Sequence, residues 1–104
     1  MGAKPETLIV TKIMKWIKAH GGDCFHVHGS MFQRVGEPDI CGELPVGDKW
    51  IHLKIEVKTS TGKPTPLQEK RIKDYAERGY CAKIVYSYEE CVAWLQSYGN
   101  TKET

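Results

Sequence analysis

Apolar and polar residues alternate without a break from Ile51 to Lys58: Ile51, Leu53, Ile55 and Val57 are aliphatic, and His52, Lys54, Glu56 and Lys58 between them are polar. A period of two marks a half-buried strand, and it places Glu56 and Lys58 on one face, opposite the face the aliphatics bury. Elsewhere the period lengthens. Ile9, Val10, Ile13, Trp16 and Ile17 recur at helical spacing after Pro5, which suits a first helical turn, and Gly21-Gly22 stops that helix at about His20. Cys24 to His28 reads as a first strand, Asp39 to Leu44 as a second and Trp50 to Lys58 as a third. The turn signal Pro45-Val46-Gly47-Asp48 predicts an antiparallel hairpin between the last two.

Thr59-Ser60-Thr61-Gly62-Lys63-Pro64 forms a loop, after which Thr65-Pro66-Leu67-Gln68 combines an N-cap, a first-turn proline and a capping-box Gln. The helix it opens runs to about Arg78 and stops at Gly79, with Gln68, Ile72, Tyr75 and Ala76 on the side turned toward the sheet. Cys81 to Tyr86 is a fourth strand, apolar enough for an interior position. Ser87-Tyr88-Glu89-Glu90 is another capping box, and Cys91, Val92, Trp94 and Leu95 give the final helix its apolar side. The polar stretch from Gly99 to Thr104 is expected to fray. The order α-β-β-β-α-β-α predicts an α/β fold: a small mixed sheet flanked by helices on both faces, with the fourth strand brought parallel to the third by the crossover helix.

A chain of 104 residues predicts a single domain over 1–104, and 40% apolar with 27% charged residues is ordinary for a globular one. The net charge of +2 is too small to diagnose nucleic-acid binding. No apolar stretch is long enough to cross a bilayer and the N-terminus lacks a secretory layout, so the expected location is the cytoplasm, with no membrane partner. Cys24, Cys41, Cys81 and Cys91 show no Cys-x-x-Cys spacing and read as reduced, mostly buried thiols.

The chemistry concentrates between Gly36 and Lys58. Gly36-Glu37-Pro38-Asp39 is followed, seventeen residues after Asp39, by Glu56-Val57-Lys58. Two carboxylates suit a hard divalent cation such as Mg²⁺ or Mn²⁺, which takes oxygen ligands and keeps several waters. Such a cation activates water and polarises a phosphodiester, and Lys58 supplies charge to the reacting phosphate. A bland alternative is a solvated strand face carrying a Glu-Lys pair. Glu6 precedes Ile9, Val10, Ile13 and Ile17 by three, four, seven and eleven residues, so it lies on the inward side of the first helix, where a carboxylate needs a partner. It could instead serve the helix dipole, and Gln68 could be a cap alone.

Basic residues gather in two places. Lys58, Lys63, Lys70, Arg71 and Lys73 flank the candidate site, beside the hydroxyls of Ser60 and Thr61, and read as phosphate contacts. Lys12, Lys15 and Lys18 read as helix solvation. His26-Val27-His28 has no third ligand at metal-site spacing, and His28, Ser30 and Gln33 are alternative DNA contacts. Trp16, Trp50 and Trp94 read as core or interface, with Trp50 the most exposed.

The series Glu6, Gly36-x-Pro38-Asp39, Glu56-x-Lys58 and Gln68 resembles the VRR-NUC branch of the PD-(D/E)xK nuclease superfamily, in its compact stand-alone form found in phages and bacteria. The resemblance runs from the first helix through the fourth strand. It implies a restriction-endonuclease-like core, metal binding by Asp39, Glu56 and the Val57 carbonyl, and catalytic roles for Glu6, Asp39, Glu56, Lys58 and Gln68. It further implies a homodimer, similar in fold to Holliday-junction resolvases, that cuts branched DNA with Mg²⁺ or Mn²⁺. A nicking or restriction-type nuclease, or a DNA-binding module without catalysis, are the alternatives.

Overall fold

Four strands pair in chain order into one mixed sheet: β1 (Asp23–His26), β2 (Ile40–Val46), β3 (Lys49–Val57) and β4 (Cys81–Val85). β1, β2 and β3 are antiparallel neighbours, and β4 lies parallel to β3. Helix α1 (Pro5–Ala19) precedes the sheet, α2 (Pro66–Glu77) makes the crossover and α3 (Tyr88–Lys102) follows β4. This computed structural model describes residues 5–27 and 35–102, with side chains as far as Gly99. The α/β class, the element order and the mixed sheet between helices are those expected from the sequence.

The two faces of β3 have different fates. Its aliphatic side, with Leu53, Ile55 and Val57, packs with Ile40 and Leu44 of β2, Val85 of β4, Val10, Ile13 and Ile17 of α1, and Cys91 and Leu95 of α3. Each such side chain contributes roughly 1.5–3 kcal/mol on full burial, so this side holds the sheet to α1 and α3. Burial also pushes the Cys91 thiol up to about 12, which keeps it protonated and inert. The polar side of β3 runs under α2, which packs on β3 and β4. Among the described residues no helix is long and apolar enough to cross a membrane, and all four cysteines are free thiols.

The second helix begins as its sequence requires. The Thr65 hydroxyl accepts from the Gln68 N–H at 3.1 Å, and the Gln68 side-chain carbonyl accepts from the Thr65 N–H at 2.9 Å. Thr65→Ala removes one half of this reciprocal cap and is expected to cost about 1 kcal/mol, read as a lower urea midpoint with an unchanged slope.

Several boundaries differ from the sequence expectation. Pro45 and Val46 belong to β2, and the hairpin turns on Gly47-Asp48 alone, between the paired residues Val46 and Lys49. Gly47 has φ +65° and no non-glycine residue among those described has positive φ, so glycine stands at the first turn position, as a two-residue type II′ hairpin demands. Pro45 is tolerated within β2 because β1 pairs with β2 only up to Glu43 and leaves the far end of that strand an edge. β1 ends at His26 and β3 at Val57, so Lys58 lies just outside its strand. β4 is an edge strand, not an interior one: helices cover both its faces, and apolar composition reports covered faces, not lateral neighbours. α3 continues through Gly99 to Lys102 where fraying was expected. Ala76 is exposed, whereas Tyr75 is buried. Trp50 is 55% exposed, as expected. His28, Ser30 and Gln33 lie outside the described residues.

Candidate active site

Asp39 and Glu56 come together because the hairpin register brings the start of β2 opposite the end of β3. Ile40 pairs with Ile55 as the last rung, which leaves Asp39 and Glu56 just beyond it, close enough for the charge of Asp39 to act on Glu56. The Val57 N–H donates to Asp39 Oδ2 at 2.8 Å. In an extended strand the N–H and C=O of one residue point to the same side, so the Val57 carbonyl is turned to the β2 side of the strand. The Asp39 carbonyl in turn accepts from the Val27 N–H at 2.6 Å, which ties the first strand to the same point.

Glu56 is the unusual member. It is only 2% exposed, and its Oε1 is buried with no hydrogen-bond partner. Its Oε2 accepts from the Gln68 side-chain N–H at 3.1 Å and stands 3.6 Å from the Lys58 ammonium. Burial, reinforced by the neighbouring charge of Asp39, pushes the Glu56 carboxyl up to about 8, although Lys58 pulls the other way. Without a cation, the buried Glu56 carboxyl is better accommodated protonated than charged.

Gln68 serves both ends of its amide. The carbonyl closes the cap of α2 and the amino group binds Glu56, so the start of the helix and the acid are fixed by one side chain. Lys58 is held from its backbone, whose N–H donates to the Val85 carbonyl at 2.9 Å, and its side chain is 16% exposed.

The remaining expected site residues divide. Glu6 is half-buried on the same stripe of α1 as Val10, Ile13 and Ile17. It does not complete an acid cluster: among the described residues no three His, Cys, Asp or Glu side chains stand together as a metal would need them. The groups that could hold a cation are therefore two carboxylates and a backbone carbonyl, a set compatible with Mg²⁺, which is usually held by one or two carboxylates and its own waters. The unpartnered Glu56 oxygen fits that cation, because a buried carboxylate oxygen without a donor calls for a positive partner.

Ser60, Thr61 and Lys63 are exposed in the loop that leads from Lys58 to α2. Lys70 is exposed but bonded to Asp74 at 2.8 Å, and Lys73 is exposed. Arg71 is engaged within the protein. Its side chain is 19% exposed, donates from Nε to the Val35 carbonyl at 3.2 Å and stands 3.6 Å from Glu37 Oε2. Glu37 also accepts from the Tyr75 hydroxyl at 2.6 Å. Sequence reading missed Glu37, the variable position of Gly36-x-Pro38-Asp39. Its only sequence signal is a charge wedged between two residues with fixed backbone demands.

Two solved structures share this architecture. One, described as a VRR_NUC domain, superposes with a TM-score of 0.76 and 26% identity, covering 92% of this chain and 99% of its own. A second, described as a VRR_NUC domain protein, gives a TM-score of 0.70 at 23% identity, covering 94% and 90%. No protein-family model matches the chain, and no curated protein does.

Proposed function

We propose that this chain, which has the fold of a VRR_NUC domain, is a divalent-metal-dependent endodeoxyribonuclease that hydrolyses phosphodiester bonds in branched or otherwise structured DNA. The observation that carries the reading is Glu56: a carboxyl sealed under α2 with one oxygen unpartnered, beside a second acid and an ammonium group. Packing alone has no use for such a group, since an apolar residue of similar size would be cheaper to bury.

In this reading Asp39, Glu56 and the Val57 carbonyl hold Mg²⁺ or Mn²⁺. The bound cation supplies an activated water and polarises the scissile phosphate. Lys58 presents positive charge to the phosphate oxygens, where charge accumulates during displacement. Gln68 keeps Glu56 from turning away from the centre. Glu6 is assigned an auxiliary role, through the resemblance and its inward position on α1. Ser60, Thr61, Lys63, Lys70 and Lys73 contact the DNA backbone, which makes binding steeply salt dependent. A homodimer supplies two such centres for paired cuts, since one chain presents only one.

The test uses labelled four-way junction, flap, linear duplex and single-stranded DNA with Mg²⁺, Mn²⁺ or EDTA, beside Asp39→Ala. Cutting is expected only with metal, and Asp39→Ala is expected to lower it by on the order of a thousandfold. Paired symmetric cuts in the junction and a dimer in sizing by light scattering support the resolvase-like form. Cutting confined to duplex favours a nicking or restriction-type nuclease. Tight DNA binding with no cutting under either metal would leave a binding module.

A further inference from the structure

A single helix holds both acids of the candidate centre, one directly and one at a distance. Gln68 binds Glu56, while Arg71 and Tyr75, one and two turns further along α2, grip Glu37 two residues ahead of Asp39. Between Glu37 and Asp39 stands Pro38, fully buried and with its φ fixed by the ring. The link from Glu37 to Asp39 is therefore stiff, and a shift of one is passed to the other. Gly36, with φ +86°, lets the chain lie flat on α2: a Cβ there would stand 2.8 Å from Leu67 Cγ.

The grip is itself immobilised. Tyr75 is buried, its ring meets Tyr80 edge-on at 5.1 Å, and the Lys54 ammonium sits 4.7 Å above it. Arg71 spans two points of the same segment, the Val35 carbonyl and the Glu37 carboxylate. Such an arrangement is far more specific than a surface arginine needs for touching phosphates.

We propose that Glu37, Arg71 and Tyr75 form a positioning clamp that sets the Asp39 carboxylate against Glu56, so that the cation affinity of the centre depends on three residues that touch neither metal nor substrate. The clamp rests on the metal-centre reading above and deepens it. Residues that orient metal ligands in this way commonly change affinity ten- to a hundredfold when altered.

The test uses the full chain as Tyr75→Phe, Arg71→Lys and Arg71→Gln. Mn²⁺ binding is followed by its free-ion spin resonance signal, and the metal-free chain by the Val57 amide proton, which reports the bond to Asp39. Folded Tyr75→Phe and both Arg71 variants are expected to bind Mn²⁺ about tenfold more weakly and to shift the Val57 amide upfield. High metal restores their cutting. Arg71→Lys distinguishes the clamp from a DNA contact, because lysine keeps the charge but has no group at the Nε position that reaches both Val35 and Glu37. Wild-type Mn²⁺ affinity together with an unmoved Val57 amide in these variants would overturn the clamp. If wild type and Asp39→Ala bind Mn²⁺ alike, the metal reading fails instead, and the Val57 amide alone decides whether Asp39 is positioned by α2.

Discussion

Metal-free Glu56→Gln protein is expected to melt higher than wild type at pH 8 while cutting no DNA. The glutamine keeps the shape and the oxygen that accepts from Gln68, yet it removes the charge that burial and Asp39 make costly. The sign follows from the protonation of Glu56. Its carboxyl titrates near 4.5 when exposed and is pushed up to about 8 in the fold, so between those values the folded chain retains a proton that the unfolded chain has released. Stability from this group is fully present below about 4.5 and is lost as pH rises through about 8. The variant escapes that loss by about 2 kcal/mol at pH 8, a rise of roughly 10 °C in Tm for a domain of this size. At pH 5 the difference narrows, because wild-type Glu56 is then protonated. Mg²⁺ reverses the order, stabilising wild type by about 2.7 kcal/mol at a hundred times its Kd and the variant hardly at all. Melting curves from pH 5 to pH 8, with EDTA and with Mg²⁺, decide the matter. A variant that melts lower than wild type at pH 8 in EDTA would sink the idea that Glu56 is a destabilising group held for a cation.

Lys58→Met separates charge stabilisation from metal binding. The Lys58 ammonium lies 3.6 Å from Glu56 Oε2, where it opposes a second cation as well as favouring the ionised acid. Its loss is expected to lower the single-turnover rate at saturating metal by on the order of a hundred- to a thousandfold, while Mn²⁺ binds at least as tightly as before. Lys58→Arg keeps the charge and recovers part of the rate. The backbone contact from the Lys58 N–H to Val85 survives both changes, so the fold is preserved. The readouts are the cleavage rate in one turnover and a Mn²⁺ isotherm. If rate and affinity fell together in the methionine variant, Lys58 would be no more than a structural partner of the acids.

How far the sequence carried the fold depended on whether each signal was local. The start of α2 was legible because its cap lies within four residues, Thr65 to Gln68, and both of its hydrogen bonds formed. The face shared by Glu56 and Lys58 was legible because a period of two is decided by the strand itself. That Glu56 would be sealed could not be read, since it depends on how α2 lies over the sheet. The clamp was equally invisible: Tyr75 is thirty-eight residues from Glu37 in the chain, and nothing local marks the pair. Arg71 read only as a phosphate contact because its partners, Val35 and Glu37, lie far away in the chain. The polar stretch from Gly99 was expected to fray, but Trp94 and Tyr98 pack edge-on at 5.7 Å and Leu95 is buried, and such contacts outweigh a glycine penalty of about 1 kcal/mol.

Asp39 and Glu56 meet at the open end of the β2–β3 hairpin, the end furthest from the Gly47-Asp48 turn. A hairpin that zips up from its turn therefore brings the acids side by side last, and the bond from the Val57 N–H to Asp39 latches it. A slip of one residue in the pairing would turn Glu56 to the apolar side and leave no acid pair at all. Partly zipped or fraying molecules hold their carboxylates apart, so under the proposed function the acid pair is assembled only when folding is finished.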